Sequence, residues 1–171
     1  MAVTETPLIT VSDYLAMSFD DGDREYVDGQ IQENNVGELD HSAVQGAIQG
    51  YFYSRRKTLG LNAVTECRTK VSATRYRLPD VAVVLGARPR GRIIDVPPFL
   101  VVEVLSPEDR ASRVEERIDD YLRFGVPWIW VIDPITGRGH VYHEGNRTPV
   151  TDGMYRTEDP LIEMNFFELL D

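Results

Sequence analysis

Residues 76–107 read YRLPDVAVVLGARPRGRIIDVPPFLVVEVLSP, and the fold turns on how this stretch is divided. Two apolar runs in it each carry one carboxylate, Asp80 in PDVAVVL and Glu103 in FLVVEVL. A buried strand tolerates an ionised acid badly unless the acid is paired or holds a cation. Side chains alternate across a strand, so Phe99, Val101, Glu103 and Leu105 share one face while Leu100, Val102 and Val104 share the other. Glu103 is then a lone acid on an apolar face. Asp80 follows Pro79, which cannot donate to a sheet ladder and suits the start of a strand. Neighbouring strands lie about 5 Å apart, so if these two pair, both acids come within reach of one cation. Hard divalent ions such as Mg²⁺ take carboxylate and water oxygens and usually keep several waters, which leaves room for a phosphate. Each acid also has a plainer reading. Asp80 can cap a turn at the strand start, and Glu103 can be half of an ion pair with an arginine.

Working outward, the segment between the runs, GARPRGRIIDVPP, holds too much Gly and Pro to be regular and reads as a loop. Upstream, Val44, Ala47, Ile48, Tyr51 and Phe52 recur at helical spacing, which predicts a helix over about 41–58 with His41 in or beside its first turn. Asp40 or Ser42 is the expected cap. Leu61 to Ser72 reads as one strand. Nearer the N-terminus, Thr10 and Asp13 have the spacing of a helix cap for a short helix through Met17. REYV-DG-QIQE reads as a hairpin around Asp28-Gly29, with Glu25 on its first strand.

Downstream, Val114, Ile118, Tyr121 and Leu122 form one face of a helix over about 108–124, ended by Gly125 and Pro127. WIWVID is a buried strand, and its two tryptophans, Trp128 and Trp130, share a core face. HVYHEG and GMYRT read as a closing antiparallel meander, and LIEMNFFELLD as a docking strand or short helix. The whole describes an α/β domain, residues 1–171, with a mixed central sheet flanked by helices, an N-terminal hairpin and a C-terminal β meander.

The chain has 171 residues, 42% hydrophobic and 27% charged, enough for one domain with a sizeable core. No apolar run approaches the roughly 20 residues that span a bilayer, and MAVTETPLITVSDYLAM lacks a secretory pattern, so a cytoplasmic location without membrane contact is expected. A single cysteine, Cys67, excludes an internal disulfide and a cysteine-based zinc site. The formal net charge of −10 argues against a protein that coats nucleic acid. It does not exclude an enzyme with a local basic rim. Arg55, Arg56 and Lys57 form one basic cluster and Arg88, Arg90 and Arg92 a second. Arg110, Arg113, Arg117 and Arg123 form a third. The ordinary reading of each cluster is a solvated face. His140 and His143 lie three apart on a strand, so they point to opposite faces and do not share a metal. GxSxG and phosphate-loop spacings are absent.

YRLPDVAVV, PPFLVVEVLSP, ERIDDY and FGVPWIWVIDP, in that order, resemble the Uma-type restriction endonuclease family of the PD-(D/E)XK nuclease superfamily. REYVDGQI and His41 at the start of the first long helix add to the likeness, which runs from about Val11 to Leu170. The resemblance implies a restriction-endonuclease-like core, metal-dependent phosphodiester hydrolysis of nucleic acid (DNA first), and a homodimer. It assigns Asp80 and Glu103 as ligands of Mg²⁺, with Mn²⁺ as the alternative ion, and makes Glu25 and His41 candidates for the rim of the same site.

The chain also departs from the pattern. The superfamily's lysine sits two residues after the glutamate, which here is Leu105. The family resembled supplies a lysine from the next helix instead, four residues before the tyrosine matching Tyr121, and that position is Arg117. Val114 and Tyr121 flank Arg117 on the inward stripe, so it can lean toward the sheet. An arginine cannot serve as a general base, but it can fork onto a carboxylate or phosphate. Arg117 therefore either orients a phosphate or the attacking water, or neutralises Glu103 in a degenerate site. Lys70 is a further cation, with a solvent-facing position expected. Three readings follow: a Mg²⁺-dependent nuclease, a catalytically inactive nuclease-fold binding or regulatory protein, and a metal-independent hydrolase using the same two acids.

Overall fold

The strand that begins after Asp80 and the strand that carries Glu103 pair directly. The computed structural model describes residues 7–34 and 38–171. In chain order the elements are α1 (Val11–Ala16), β1 (Arg24–Val27), β2 (Gln30–Glu33), α2 (Leu39–Leu59), β3 (Leu61–Val64), β4 (Thr69–Ser72), β5 (Arg75–Arg77) and β6 (Val81–Leu85). Then come β7 (Leu100–Val104), α3 (Ala111–Phe124), β8 (Trp128–Ile132), β9 (Gly139–His143), β10 (Asn146–Val150), β11 (Met154–Thr157), β12 (Ile162–Asn165) and α4 (Phe166–Leu169).

A six-stranded sheet runs β10-β9-β8-β7-β6-β3. Only β7 and β8 are parallel in it, and α3 is the crossover that such a pair requires. On one face, α2 with Val44, Ile48 and Phe52 packs over Val81, Val83, Leu100, Val102, Trp128 and Trp130. On the other, Val114, Ile118 and Tyr121 of α3 pack on Val101, Ile129 and Val131. The two tryptophans share the α2 face, as the alternation predicts. Phe99 lies just before β7 and packs with the α2-side core rather than with Val101, because alternation holds only inside the strand.

A second sheet, β2-β1-β5-β4, lies on the α3 side. The Asp28-Gly29 hairpin is its outer half, with positive φ at both turn residues, 49° and 92°, as a tight two-residue turn demands. Tyr14, Tyr26 and Tyr76 cluster and fasten α1 to this sheet, with Tyr14 and Tyr26 stacked at 5.0 Å. Thr10 caps α1 by accepting the Asp13 N–H.

Three expectations need correction, and one strand went unread. Leu61 to Ser72 is not one strand: β3 joins the large sheet and β4 the small one, with Thr65–Arg68 crossing between them. β5 was unread, since RYR is too short and too charged to show a period. The cap of α2 is Glu38, without a side-chain bond, because the helix begins two residues ahead of His41. The C-terminal meander is split: β9 and β10 extend the large sheet, whereas GMYRT, as β11, pairs with β12 in a separate two-stranded sheet. None of the described helices is long and apolar enough to cross a membrane.

Candidate active site

The ladder between β6 and β7 sets Val81 opposite Val102 and Ala82 opposite Val101. Extending that register by one places Asp80 opposite Glu103, with both side chains on the α3 face. Asp80 sits just outside the strand and accepts the Val104 N–H on Oδ2 at 2.7 Å. Its other oxygen lies 3.3 Å from His41 Nε2. His41 reaches it because α2 starts beside the start of β6, and Gln45, one turn on, donates to the Asp80 carbonyl.

Glu103 is 3% exposed and lies beneath Arg117. The Tyr121 hydroxyl donates to its Oε1 at 2.7 Å. Burial pushes the Glu103 carboxyl up to about 8 in spite of Arg117, with Asp80 adding repulsion. Burial works against the Arg117 charge as well, but the facing acids Glu103, Glu25 and Asp109 more than offset it and keep the guanidinium charged. The hydrogen bond with Asp80 raises His41 above the ordinary histidine range, against burial.

Arg117 turns inward from α3, as its flanking residues predict. Its Nη1 is 3.6 Å from Glu103 Oε2, and its Nη2 donates to Asp109 Oδ1 at 3.1 Å. Arg110, Arg113 and Arg123 stay exposed, so the third basic cluster of the sequence does not act as one. Lys70 faces solvent. Arg117 Nε and His41 Nδ1 are buried nitrogens without a hydrogen-bond partner.

Glu25 takes a different place from its expected rim position. It is buried and accepts from Arg77 Nη1 at 2.8 Å and from the Leu78 N–H. Arg77 is 1% exposed and also pairs with Asp120 at 2.7 Å, and Arg75 ties Asp120 to Asp28 and Glu116. Glu25 therefore belongs to a buried network that braces α3 against the small sheet, adjoining Arg117 from behind.

His41, Gln45, Asp80, Asp109 and Arg117 line a cleft of about 210 Å³ whose outer wall carries Asp21, Asp23, Arg24, Glu33 and Glu66. Among the described residues, no group of three or more His, Cys, Asp or Glu is arranged to hold a metal. Mg²⁺ does not need one, because it is usually held by one or two carboxylates and keeps several waters. The donor set fits on that count. Two carboxylates sit cross-strand; a hydrogen-bond donor fixes one oxygen of each, and the other oxygen faces a cationic side chain, His41 at Asp80 and Arg117 at Glu103. Sequence reasoning missed Asp109 and the contact made by Tyr121. Ser106-x-x-Asp109 carries a legible signal, since S-x-x-D is a capping pattern, and Asp109 Oδ2 does accept the Ser106 N–H.

The model of the family Uma2, described as "putative restriction endonuclease", matches residues 11–170. A search of curated proteins gives no match. A crystal structure of a "putative nuclease belonging to DUF820" from Anabaena variabilis superposes with a TM-score of 0.81 over 95% of this chain and 97% of that chain. The two share 22% identity, so the likeness shows a common fold.

Proposed function

The chain belongs to the Uma2 family, described as "putative restriction endonuclease", and on that premise we propose that it is a Mg²⁺-dependent nuclease hydrolysing phosphodiester bonds, with DNA as the first substrate to test. One observation carries the reading: the register sets Asp80 opposite Glu103, one a strand-start acid and the other a fully buried one. Asp80 and Glu103 would hold the ion, with Mn²⁺ as the alternative. A divalent ion bound there supplies an acidified water and charge stabilisation at the attacked phosphorus.

The chain's own groups do the rest. Arg117 cannot take a proton from water, so its role is to orient a phosphate oxygen or the attacking water through the guanidinium fork. His41, kept protonated to higher pH than an ordinary histidine by Asp80, is a second cationic donor at the rim. Glu25 acts through the network that supports α3. A cytoplasmic homodimer acting on nucleic acid completes the proposal. The acidic outer wall makes unassisted affinity for a polyanion weak and salt-sensitive.

A second reading, a catalytically inactive nuclease fold, is favoured by the same guanidinium, which stands where the family has lysine and covers Glu103. Incubation of plasmid, single-stranded DNA and RNA with Mg²⁺ or EDTA separates the two. The nuclease reading requires metal-dependent cleavage that Asp80→Ala abolishes. Metal binding with all substrates intact, and cleavage first appearing in Arg117→Lys, establishes the second reading.

A further inference from the structure

Arg117 is suspended between two acids, and its bonds to them differ. A guanidinium beside a carboxylate normally closes to a charge-assisted pair at about 2.7–2.9 Å, often bidentate. In a buried setting that attraction is strong. Here Nη1 stays 3.6 Å from Glu103 Oε2, while Nη2 makes its hydrogen bond to Asp109 at 3.1 Å. The competing acid is itself anchored. Asp109 Oδ2 accepts the Ser106 N–H at 2.8 Å, and the Asp109 N–H donates to the Ser106 carbonyl at 3.0 Å. That turn follows β7 directly, so Asp109 is fixed to the strand that carries Glu103. From the other side, Tyr121 holds only Oε1 of Glu103.

We infer that Asp109 is a positioning residue: it holds the Arg117 guanidinium off the remaining oxygen of Glu103 and so keeps that oxygen available to a cation. The inference rests on the metal-site reading above. Without Asp109, the guanidinium closes onto Glu103, cancels its charge and occupies the lone pairs that a metal needs. Asp109 thus decides whether an arginine at this position is compatible with a metal site at all.

Asp109→Asn is the test, because the amide oxygen can still accept the Ser106 N–H while the charge that attracts Arg117 is gone. In a metal-free crystal structure of this variant grown at alkaline pH, where the Glu103 carboxyl is ionised as a metal ligand must be, Arg117 closes to hydrogen-bond distance of Glu103 Oε2. Calorimetric affinity for Mg²⁺ or Mn²⁺ falls roughly 10–100-fold, the usual cost of losing an outer-shell partner. The double variant Asp109→Asn/Arg117→Ala regains the affinity of Arg117→Ala alone, a rescue that a merely structural Asp109 would not give. Thermal melting checks the fold, and Asp109→Ser, whose hydroxyl can serve the same N–H, replaces any variant that fails to fold. Arg117 keeping its distance from Glu103 in the metal-free structure overturns the inference, as does the absence of rescue. Failure of the wild type to bind metal defeats the nuclease reading instead, and the metal-free structure still decides the hold of Asp109 on Arg117.

Discussion

The Val104 N–H donates to Asp80 Oδ2 at 2.7 Å, tying the first acid to the backbone of the residue that follows the second. This bond converts a strand-start aspartate into a partner of Glu103. It also explains why Asp80 can stand outside the ladder and still be fixed. Asp80→Asn can put its amide oxygen on the same N–H, so the fold is expected to survive with its melting temperature nearly unchanged. Thermal melts of Asp80→Asn beside wild type in EDTA check this.

Glu103 gives a pH signature in the absence of metal. Its folded-state carboxyl is raised from 4.5 to about 8, so the folded protein binds one more proton than the unfolded chain between those values. The resulting stability is complete below about 4.5 and is lost as pH rises through 8. Glu103→Gln lacks this dependence. In EDTA, wild type should lose melting temperature relative to Glu103→Gln as the pH goes from 5 to 9. A constant difference across that range would refute the assignment.

Arg117 should affect turnover and metal affinity in opposite directions. Arg117→Ala removes a positive charge 3.6 Å from Glu103, so Mg²⁺ affinity is expected to hold or rise. Cleavage should fall by roughly 10²-fold, the order seen when one electrostatic donor is lost. Calorimetry paired with single-turnover cleavage reads both quantities.

Glu25 is predicted to matter for stability. Breaking a buried ion pair by removing one partner typically costs about 3–5 kcal/mol, because the remaining charge is left uncompensated. Glu25→Ala strands Arg77, which is 1% exposed, although Asp120 still pairs with it. Melting curves should show a loss at the low end of that range, roughly 6–12 °C for a domain of this size. Metal affinity should change far less than in Asp80→Ala.

The parts of the fold that follow a period were legible from the sequence. Val44, Ile48 and Phe52 marked α2, and Val114, Ile118 and Tyr121 marked α3, because a one-sided helix must repeat its apolar residues. Parity put Glu103 and Leu105 on one face, and the family resemblance, not the periodicity, pointed to Arg117 on the next helix. The split between β3 and β4 was not legible, since a run that changes sheets keeps the same local composition. The partners of Glu25 were equally hidden. Arg77 lies 52 residues away in the chain, and nothing in a single sequence ties the two together. Asp109 announced its capping pattern with Ser106 but not its hold on Arg117, which exists only once α3 folds back over β7.

The most direct test of the account is calorimetric titration of Mg²⁺ and Mn²⁺ into wild type and Asp80→Ala. Saturable binding by wild type and its loss in Asp80→Ala are expected. Binding in neither protein, or equal binding in both, would contradict Asp80 and Glu103 as the metal site.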